Sequence, residues 1–139
     1  MDRLLKLAKH LRHPTQGCPW DLKQTIRSSR ENTLREAREV RQAILKGDME
    51  NLCEELGDVL WNVVFLITLA EEEGLFKARD VREGIYRKMI HRHPHVFGKA
   101  KARDAAEALR IFNAMKRKGR AEARARARKP ARRPRRGGP

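Results

Sequence analysis

Aromatic residues and cysteines are scarce in this sequence. Only 5% of its 139 residues are Phe, Trp or Tyr, which favours helices packed through Leu, Val, Ile and Ala. The two cysteines, Cys18 and Cys53, form neither a CxxC pair nor a cluster with the spacing of metal ligands. We therefore expect two free thiols in a reduced, cytoplasmic protein rather than a disulfide.

Long apolar runs are also absent. The longest run follows Asp58, is shorter than the roughly 18 residues of a membrane span, and is interrupted by Asn62. The first twelve residues intersperse charges among apolar positions, unlike a signal peptide. The sequence thus predicts no membrane segment, and its length allows one domain with a modest core.

Positive charge is abundant, but it is concentrated at one end of the chain. The net charge is +15; residues 1–98 carry 17 Lys and Arg against 15 Asp and Glu, whereas residues 99–139 carry 16 against 3. We predict one domain over residues 1–119, nearly neutral up to residue 98, and a basic, low-complexity tail over residues 120–139, disordered beyond about Lys129. The tail has no interleaved aromatics, so it predicts either non-specific, salt-sensitive nucleic-acid contact or a solvated extension without a specific partner.

Apolar residues recur with helical spacing, and no segment reads as a strand. Five helices are predicted, over residues 2–11, 28–45, 49–73, from residue 80 to the residues before Pro94, and 104–120, with loops over residues 13–24 and after Pro94. Asp48 is expected to cap the third helix, and Asp80 to start the fourth with Glu83 as its capping-box partner. The short connections predict an antiparallel bundle around the third helix, which is apolar on all sides after Asp58.

Two pairs of carboxylates lie on consecutive predicted helices. Glu36 and Glu39 are three residues apart on one helix, and Glu55 and Asp58 are three apart on the next. A short turn joins the helices, so the four carboxylates can converge. The four carboxylates would repel one another and lose hydration, and bound divalent cations would offset both of these energetic costs. Oxygen ligands without His or Cys favour Mg²⁺, with Mn²⁺ as a substitute.

The acidic pairs have a simpler interpretation, and the histidines near Pro94 suggest a different metal site. The acidic faces can instead be satisfied by neighbouring arginines, namely Arg35, Arg38 and Arg41. The alternating histidines of "HRHPH", which are His91, His93 and His95, suggest zinc. Pro94 and the expected end of the helix argue against their convergence.

The carboxylates fall in a pattern that resembles the MazG-type nucleotide pyrophosphohydrolase family. That family is marked by an EExxE motif followed by ExxD; here "REARE" supplies Glu36 and Glu39, and "EELGD" supplies Glu55 and Asp58. The stretches "GCPWDLKQT", "EEEGLF" and "RHPHVFG" also match, and the resemblance runs from the N-terminus to about Lys118.

The resemblance implies an all-α, MazG-like antiparallel bundle that oligomerisation completes, as a homodimer or a higher homo-oligomer. It implies Mg²⁺-dependent hydrolysis of nucleoside triphosphates to monophosphate and pyrophosphate, with a nucleotide-pool housecleaning role. The implied metal ligands and catalytic residues are Glu36, Glu39, Glu55 and Asp58. The implied substrate contacts are Lys88 and Arg92 at the triphosphate, and Phe112, Lys116 and Trp20 near the nucleotide.

Several positions keep alternatives open. Arg35 stands where the family has its first Glu, and Ile26 where it has His. Phe112 can be a core residue, Trp20 an anchor for its loop, and the cations a solvated face. The alternative function is a catalytically impaired MazG-like module that binds nucleotides or associates with nucleic acid.

Overall fold

The computed structural model describes residues 1–127, and every regular element within them is an α-helix. The helices are α1 (Asp2–Leu11), α2 (Pro19–Leu22), α3 (Arg30–Lys46), α4 (Met49–Glu72), α5 (Ala78–Arg92), α6 (Pro94–Phe97) and α7 (Ala105–Ala127). The all-α prediction is confirmed. Residues Met1–Arg82 form one compact unit, and the described residues from Glu83 to Ala127 belong to a second.

Two single-turn helices occupy stretches that the sequence predicts as loops. α2 begins with Pro19 and α6 begins with Pro94. Proline suits the first position of a helix because its φ is already helical and its missing N–H would have had no partner there. Each proline therefore starts its short helix, and Pro94 also prevents α5 from continuing.

Helix α5 begins earlier than predicted. It starts at Ala78, and the Asp80 carboxylate accepts a hydrogen bond of 2.9 Å from the backbone N–H of Lys77. Glu83 instead forms an ion pair with Arg87, one turn further along the helix. The capping role predicted for Glu83 is wrong, because Asp80 reaches back to the helix start itself.

Helix α7 continues past the predicted end at Arg120. Asp104 caps its first turn by accepting a hydrogen bond of 2.7 Å from the Glu107 N–H. The helix then runs to Ala127, since Ala and Arg are both strong helix formers. The disorder predicted beyond Lys129 lies outside the described residues, and the boundary between residues 119 and 120 remains a prediction.

Helices α3 and α4 form a hairpin around a two-residue turn. Gly47 ends α3 with φ 69°, a left-handed conformation that glycine adopts without steric cost. Asp48 then caps α4 by accepting a hydrogen bond of 3.1 Å from the Asn51 N–H, as predicted. The tight turn brings the faces of the two helices against each other.

The core of the first unit forms where α1 packs on the C-terminal half of α4. Its buried apolar residues are Ala8, Val64, Phe65 and Leu69. Two ion pairs join the C-terminal ends of the helices, Lys9 to Glu71 and Arg12 to Glu72, each at 2.7 Å. Helix α4 is thus the central element that its sequence predicts.

Both cysteines are free thiols, with Cys18 partly buried and Cys53 exposed. Within residues 1–127, no helix has both the length and the apolar character needed to cross a membrane.

Candidate metal centre

Three of the four predicted carboxylates meet at the α3–α4 hairpin. Glu36 and Glu39 of α3 and Glu55 of α4 each place one carboxylate oxygen within 4.8 Å of the others. The three-residue spacing on α3 puts its two glutamates on one face, and the turn at Gly47 brings α4 alongside. We call this set the carboxylate cluster.

Asp58 lies outside the carboxylate cluster. It is exposed on α4, one turn beyond Glu55, and it lines an adjacent cavity together with Glu36. Asp58 therefore marks where the cluster opens onto the cavity.

Burial and charge differ among the cluster members. Glu36 is only 5% exposed, yet it remains charged because Arg35 donates a 2.6 Å hydrogen bond to it. This bond, with a further hydrogen bond from Glu39, lowers the pKa of Glu36. A buried carboxylate with one cationic partner can stay ionised at neutral pH.

The other two cluster members hold their protons more strongly. The pKa of Glu39 is raised, first by its hydrogen bond with Glu36, then by desolvation and by the negative charges of Glu36 and Glu55. Desolvation is the main cause of the raised pKa of Glu55, and the charge of Asp58 adds to it. Mutual repulsion of this kind favours a cation among these groups.

The donor set of the carboxylate cluster fits a hard divalent cation. All three candidate ligands are carboxylate oxygens, with neither nitrogen nor sulfur among them. Such ligands suit Mg²⁺ and Mn²⁺ better than zinc. The residues present are therefore consistent with the expected magnesium site.

A cavity of about 250 Å³ adjoins the carboxylate cluster. Residues from the α1–α3 connection, α3 and α4 surround it, and they are Trp20, Asp21, Gln24, Ser29, Asn32, Arg35, Glu36, Asp58, Trp61, Asn62 and Phe65. Its wall combines polar groups with the aromatic rings of Trp61 and Phe65, whose centroids are 6.1 Å apart. A pocket with an apolar floor and a few directed polar groups is typical of small-molecule sites.

Trp20 and Ile26 take different places around this cavity. The Trp20 side chain is 60% exposed and lines the cavity, so it does not anchor its loop in the core. Ile26, at the position of the family's His, packs against the apolar core of the first unit. Trp61 packs against the apolar core on one side and lines the cavity on the other.

The remaining predicted substrate residues belong to the second unit. Lys88 is exposed and Lys116 is partly buried. The Arg92 guanidinium lies 5.4 Å from the centroid of the Phe112 ring, and the His93 ring packs on that same phenyl group at 5.3 Å. Arg92 and Phe112 thus form one contact, in which the cation faces the aromatic ring.

The histidines of "HRHPH" do not form a metal-ligand group among the described residues. Within the described residues, the carboxylate cluster is the one group of three or more His, Cys, Asp or Glu side chains whose ligand atoms lie close enough together to bind one metal ion. The His93 Nδ1 lies 2.7 Å from the Met89 carbonyl oxygen, within hydrogen-bond distance, and the Nδ1 of His95 is buried without a partner. The zinc hypothesis has no support from this geometry.

Arg12 is an organising residue that the sequence did not identify. Its guanidinium binds the Glu72 carboxylate at 2.7 Å and donates to the backbone carbonyls of Asp21 and Gln24. It also lies 5.8 Å from the Phe65 ring centroid. Because Asp21 and Gln24 line the cavity, Arg12 holds the cavity wall against α4. The only local signal is a basic residue at the end of α1.

The fold and the carboxylate cluster together define a MazG-type helical protein, and the family comparison agrees. The chain belongs to the MazG nucleotide pyrophosphohydrolase domain family, whose model matches residues 24–97.

Curated relatives of the chain carry related names. A nucleoside triphosphate pyrophosphohydrolase of Escherichia coli (strain K12) is 42% identical over 122 residues, which are 88% of this chain and 46% of the relative. The nucleoside triphosphate pyrophosphohydrolase/pyrophosphatase MazG of Thermotoga maritima is 42% identical over 97 residues, 70% of this chain and 38% of the relative. The chain thus spans less than half the length of either protein.

A solved structure shares the fold. The crystal structure of a mazG-related protein from Thermotoga maritima superimposes with a TM-score of 0.67 at 30% sequence identity. The match covers 84% of this chain and 99% of that one. It supports the MazG-like fold.

Proposed function

We propose that this chain hydrolyses nucleoside triphosphates to nucleoside monophosphate and pyrophosphate, with Mg²⁺ as the cofactor and Mn²⁺ as a substitute. The observation that carries the proposal is the carboxylate cluster, in which three oxygens lie within 4.8 Å of one another beside a cavity of about 250 Å³. The names of the relatives support the same reaction.

The carboxylates would bind the metal ion and form one wall of the site. Glu36, Glu39 and Glu55 would hold the divalent ion, and Asp58 would complete the acidic wall toward the cavity. When bound, the ion neutralises triphosphate charge and lowers the pKa of a coordinated water. The oxygen of a water molecule would bond to the α-phosphorus while the bond from the α-phosphorus to the oxygen that bridges to the β-phosphorus breaks. Pyrophosphate would leave with that oxygen, and the proton lost by the water would pass to solvent.

Five further residues are proposed to contact the substrate. Lys88 and Arg92 would bind phosphate oxygens, and Lys116 would add a third cation. Phe112 and Trp20 would offer ring faces to the nucleotide, since aromatic rings stack on any base. The exposure of Trp20 at the cavity supports its part in this set.

Pyrophosphate release from a panel of nucleoside triphosphates tests the proposal. We expect turnover with Mg²⁺ and a loss of at least about 100-fold in Glu55→Gln, since a ligand should matter more than the 10–100-fold of a supporting residue. Glu54→Gln is the matched control, because Glu54 is exposed, adjacent in sequence and outside the carboxylate cluster. Equal loss in both variants, or none in Glu55→Gln, would contradict the proposed ligands.

Self-association and a cytoplasmic, housecleaning role complete the proposal. Large apolar side chains around the hairpin are exposed, namely Ile44, Leu45, Met49, Leu56 and Leu60. A homodimer or a higher homo-oligomer would cover such a surface. Hydrolysis of damaged or surplus nucleotides is the role that this chemistry would serve.

The second candidate is a catalytically impaired module that binds nucleotides or associates with nucleic acid, and one feature of α7 favours nucleic-acid contact. Its exposed arginines at positions 110, 117, 120 and 124 lie on one side of the helix. The only apolar residues from Arg117 to Ala127 are alanines, so this segment lacks the large side chains that membrane binding requires. A row of arginines suits the regular phosphates of a nucleic acid.

Removing residues 120–139 separates the two candidates. An accessory tail predicts unchanged pyrophosphate release and weaker RNA binding, with a smaller dependence of affinity on salt. Nucleotide binding without turnover in the full chain would instead favour the impaired module.

A further inference from the structure

Arg35 places a fixed positive charge against the carboxylate cluster. One guanidinium nitrogen lies 2.6 Å from Glu36 Oε1, and its Nε lies 3.9 Å from Glu39 Oε2. Arginine stays protonated at every accessible pH. Two of the three candidate ligands therefore already face a cation that belongs to the chain.

The two partners of this contact differ in their freedom to move. The Glu36 side chain is 7% exposed, so it cannot turn to solvent when its partner leaves. The Arg35 side chain is 63% exposed and approaches from the solvent side. Arg35 can thus move away without repacking the core, whereas the buried Glu36 carboxylate stays where it is and needs a cationic partner.

A divalent ion at the carboxylate cluster needs the same oxygens. Glu36 Oε1 accepts its hydrogen bond from Arg35, and a nearby guanidinium repels any added cation. We propose that Arg35 is a resident cation that competes with the divalent metal for Glu36 and thereby weakens metal binding at the carboxylate cluster. The inference rests on the proposed function for the identity of the metal site.

A purely structural ion pair would have a different signature. Loss of such a pair would lower stability, because Glu36 is buried, but it would leave the affinity for a divalent ion unchanged. Arg38 offers a matched control, because it is an exposed arginine on α3, one turn from Arg35, without an ion pair to the carboxylate cluster in the described residues.

Mn²⁺ binding without nucleotide tests the proposal, by titration calorimetry and by electron paramagnetic resonance of the free ion. We expect one ion in the wild type and about tenfold tighter binding in Arg35→Gln, the scale of one unit charge in contact with a divalent ion in water-like surroundings. Arg35→Glu, which replaces the cation with a carboxylate, should bind Mn²⁺ at least as tightly as Arg35→Gln. Arg38→Gln should match the wild type within about twofold, since simple Coulomb attraction weakens with distance and salt.

A stability measurement gives an independent readout. Without metal, Arg35→Gln should melt at a lower temperature than Arg38→Gln, because it leaves the Glu36 carboxylate buried without its cation. Mn²⁺ should then raise its melting temperature more than it raises that of the wild type. If Arg35→Gln does not fold without metal, Arg35→Lys can be measured in its place. Lysine retains the charge but loses the planar pair of donors, so the Mn²⁺ affinity of Arg35→Lys should lie above that of the wild type.

Equal Mn²⁺ affinity in the wild type and all folded Arg35 variants would overturn the proposal, as would an absence of binding in every one of them. Because the readout is metal binding alone, a failure here is distinct from a failure of triphosphate hydrolysis. Tighter metal binding in a chain that releases no pyrophosphate would support the role of Arg35 and contradict the proposed function.

Discussion

Glu71 shows how a single charged residue joins three segments of the first unit. Its carboxylate binds the Lys9 ammonium of α1 at 2.7 Å and accepts a hydrogen bond of 2.8 Å from the Ala78 N–H at the start of α5. Only 18% of its side chain is exposed. The bond from Lys9 and the bond from the Ala78 amide together hold the pKa of Glu71 below its ordinary value.

Replacing Glu71 with Gln should lower stability in a pH-dependent way. A hydrogen bond to a charged group is worth about 1.5–3 kcal/mol, so we expect a loss of about 1–2 kcal/mol at pH 7, reduced because Lys9 is half exposed. A carboxylate with a lowered folded pKa stabilises the protein above its unfolded pKa of about 4.3, and this contribution disappears as pH falls through the folded value.

Urea unfolding at pH 7, 5 and 3.5 measures this effect. The difference between the wild type and Glu71→Gln should shrink at the lowest pH. Glu73→Gln is the control, since Glu73 is exposed at the end of α4 and should change stability by less than about 0.5 kcal/mol. A constant difference across the pH range would contradict the role assigned to the ionised carboxylate.

At the same scale, the spacing of the carboxylates predicted most of the candidate metal site, but the sequence did not indicate the role of Arg12 at the cavity wall. Glu36, Glu39 and Glu55 could be grouped from three-residue spacing and a short turn, because both are local properties. Arg12 could not be identified, because its bond to Glu72 spans 60 residues of sequence and exists only after α1 packs on α4. Local patterns do not contain such long-range pairing.

The connection from α1 to α3 is the element that positions the cavity wall. Gly17 lies so close to the backbone of Leu11 and His13 that a Cβ there would overlap their carbonyl oxygens. The N–H of Gly17 donates to the His13 carbonyl at 2.8 Å, and the N–H of Cys18 to the Leu11 carbonyl at 2.7 Å. This close approach fixes where the chain turns toward Trp20.

Two glycine substitutions should have opposite effects on stability. Gly17→Ala should destabilise by about 1–3 kcal/mol, because backbone atoms must shift to admit the methyl group. Gly57→Ala should stabilise by about 1 kcal/mol, since Gly57 lies inside α4 with open space around its Cβ position and Ala favours the helix. Thermal and urea unfolding of both variants measure the two effects.

A neutral Gly17→Ala would contradict the close packing of the loop. A destabilising Gly57→Ala would indicate that this open face of α4 is covered by another surface, such as a second copy of the chain.

The helices themselves were predictable to different degrees. Long segments bounded by clear start and stop signals agree with prediction; Met49–Glu72 follows the Asp48 cap, carries a long apolar stretch and ends before Gly74. The turns at Pro19–Leu22 and Pro94–Phe97 were missed, since four residues hold too little periodicity to be recognised. The extension of α7 to Ala127 arises from intrinsic propensity without a core face.

For the molecule as a whole, the candidate metal site and most of the positive charge occupy different parts of the sequence. The carboxylate cluster and its cavity belong to the first unit, whereas most of the net positive charge lies in residues 99–139. The sequence shows this separation directly, because it depends only on composition. The family match over residues 24–97 covers the carboxylate cluster and excludes the basic tail.

The position of bond cleavage in a nucleoside triphosphate tests the central claim most directly. Phosphorus NMR of the products, with Mg²⁺ and ¹⁸O-labelled water, identifies both the products and the phosphorus that receives the new oxygen. We predict nucleoside monophosphate and pyrophosphate, with the label in the monophosphate, and no such products in Glu55→Gln. Nucleoside diphosphate with orthophosphate, or label in the pyrophosphate, would contradict the account.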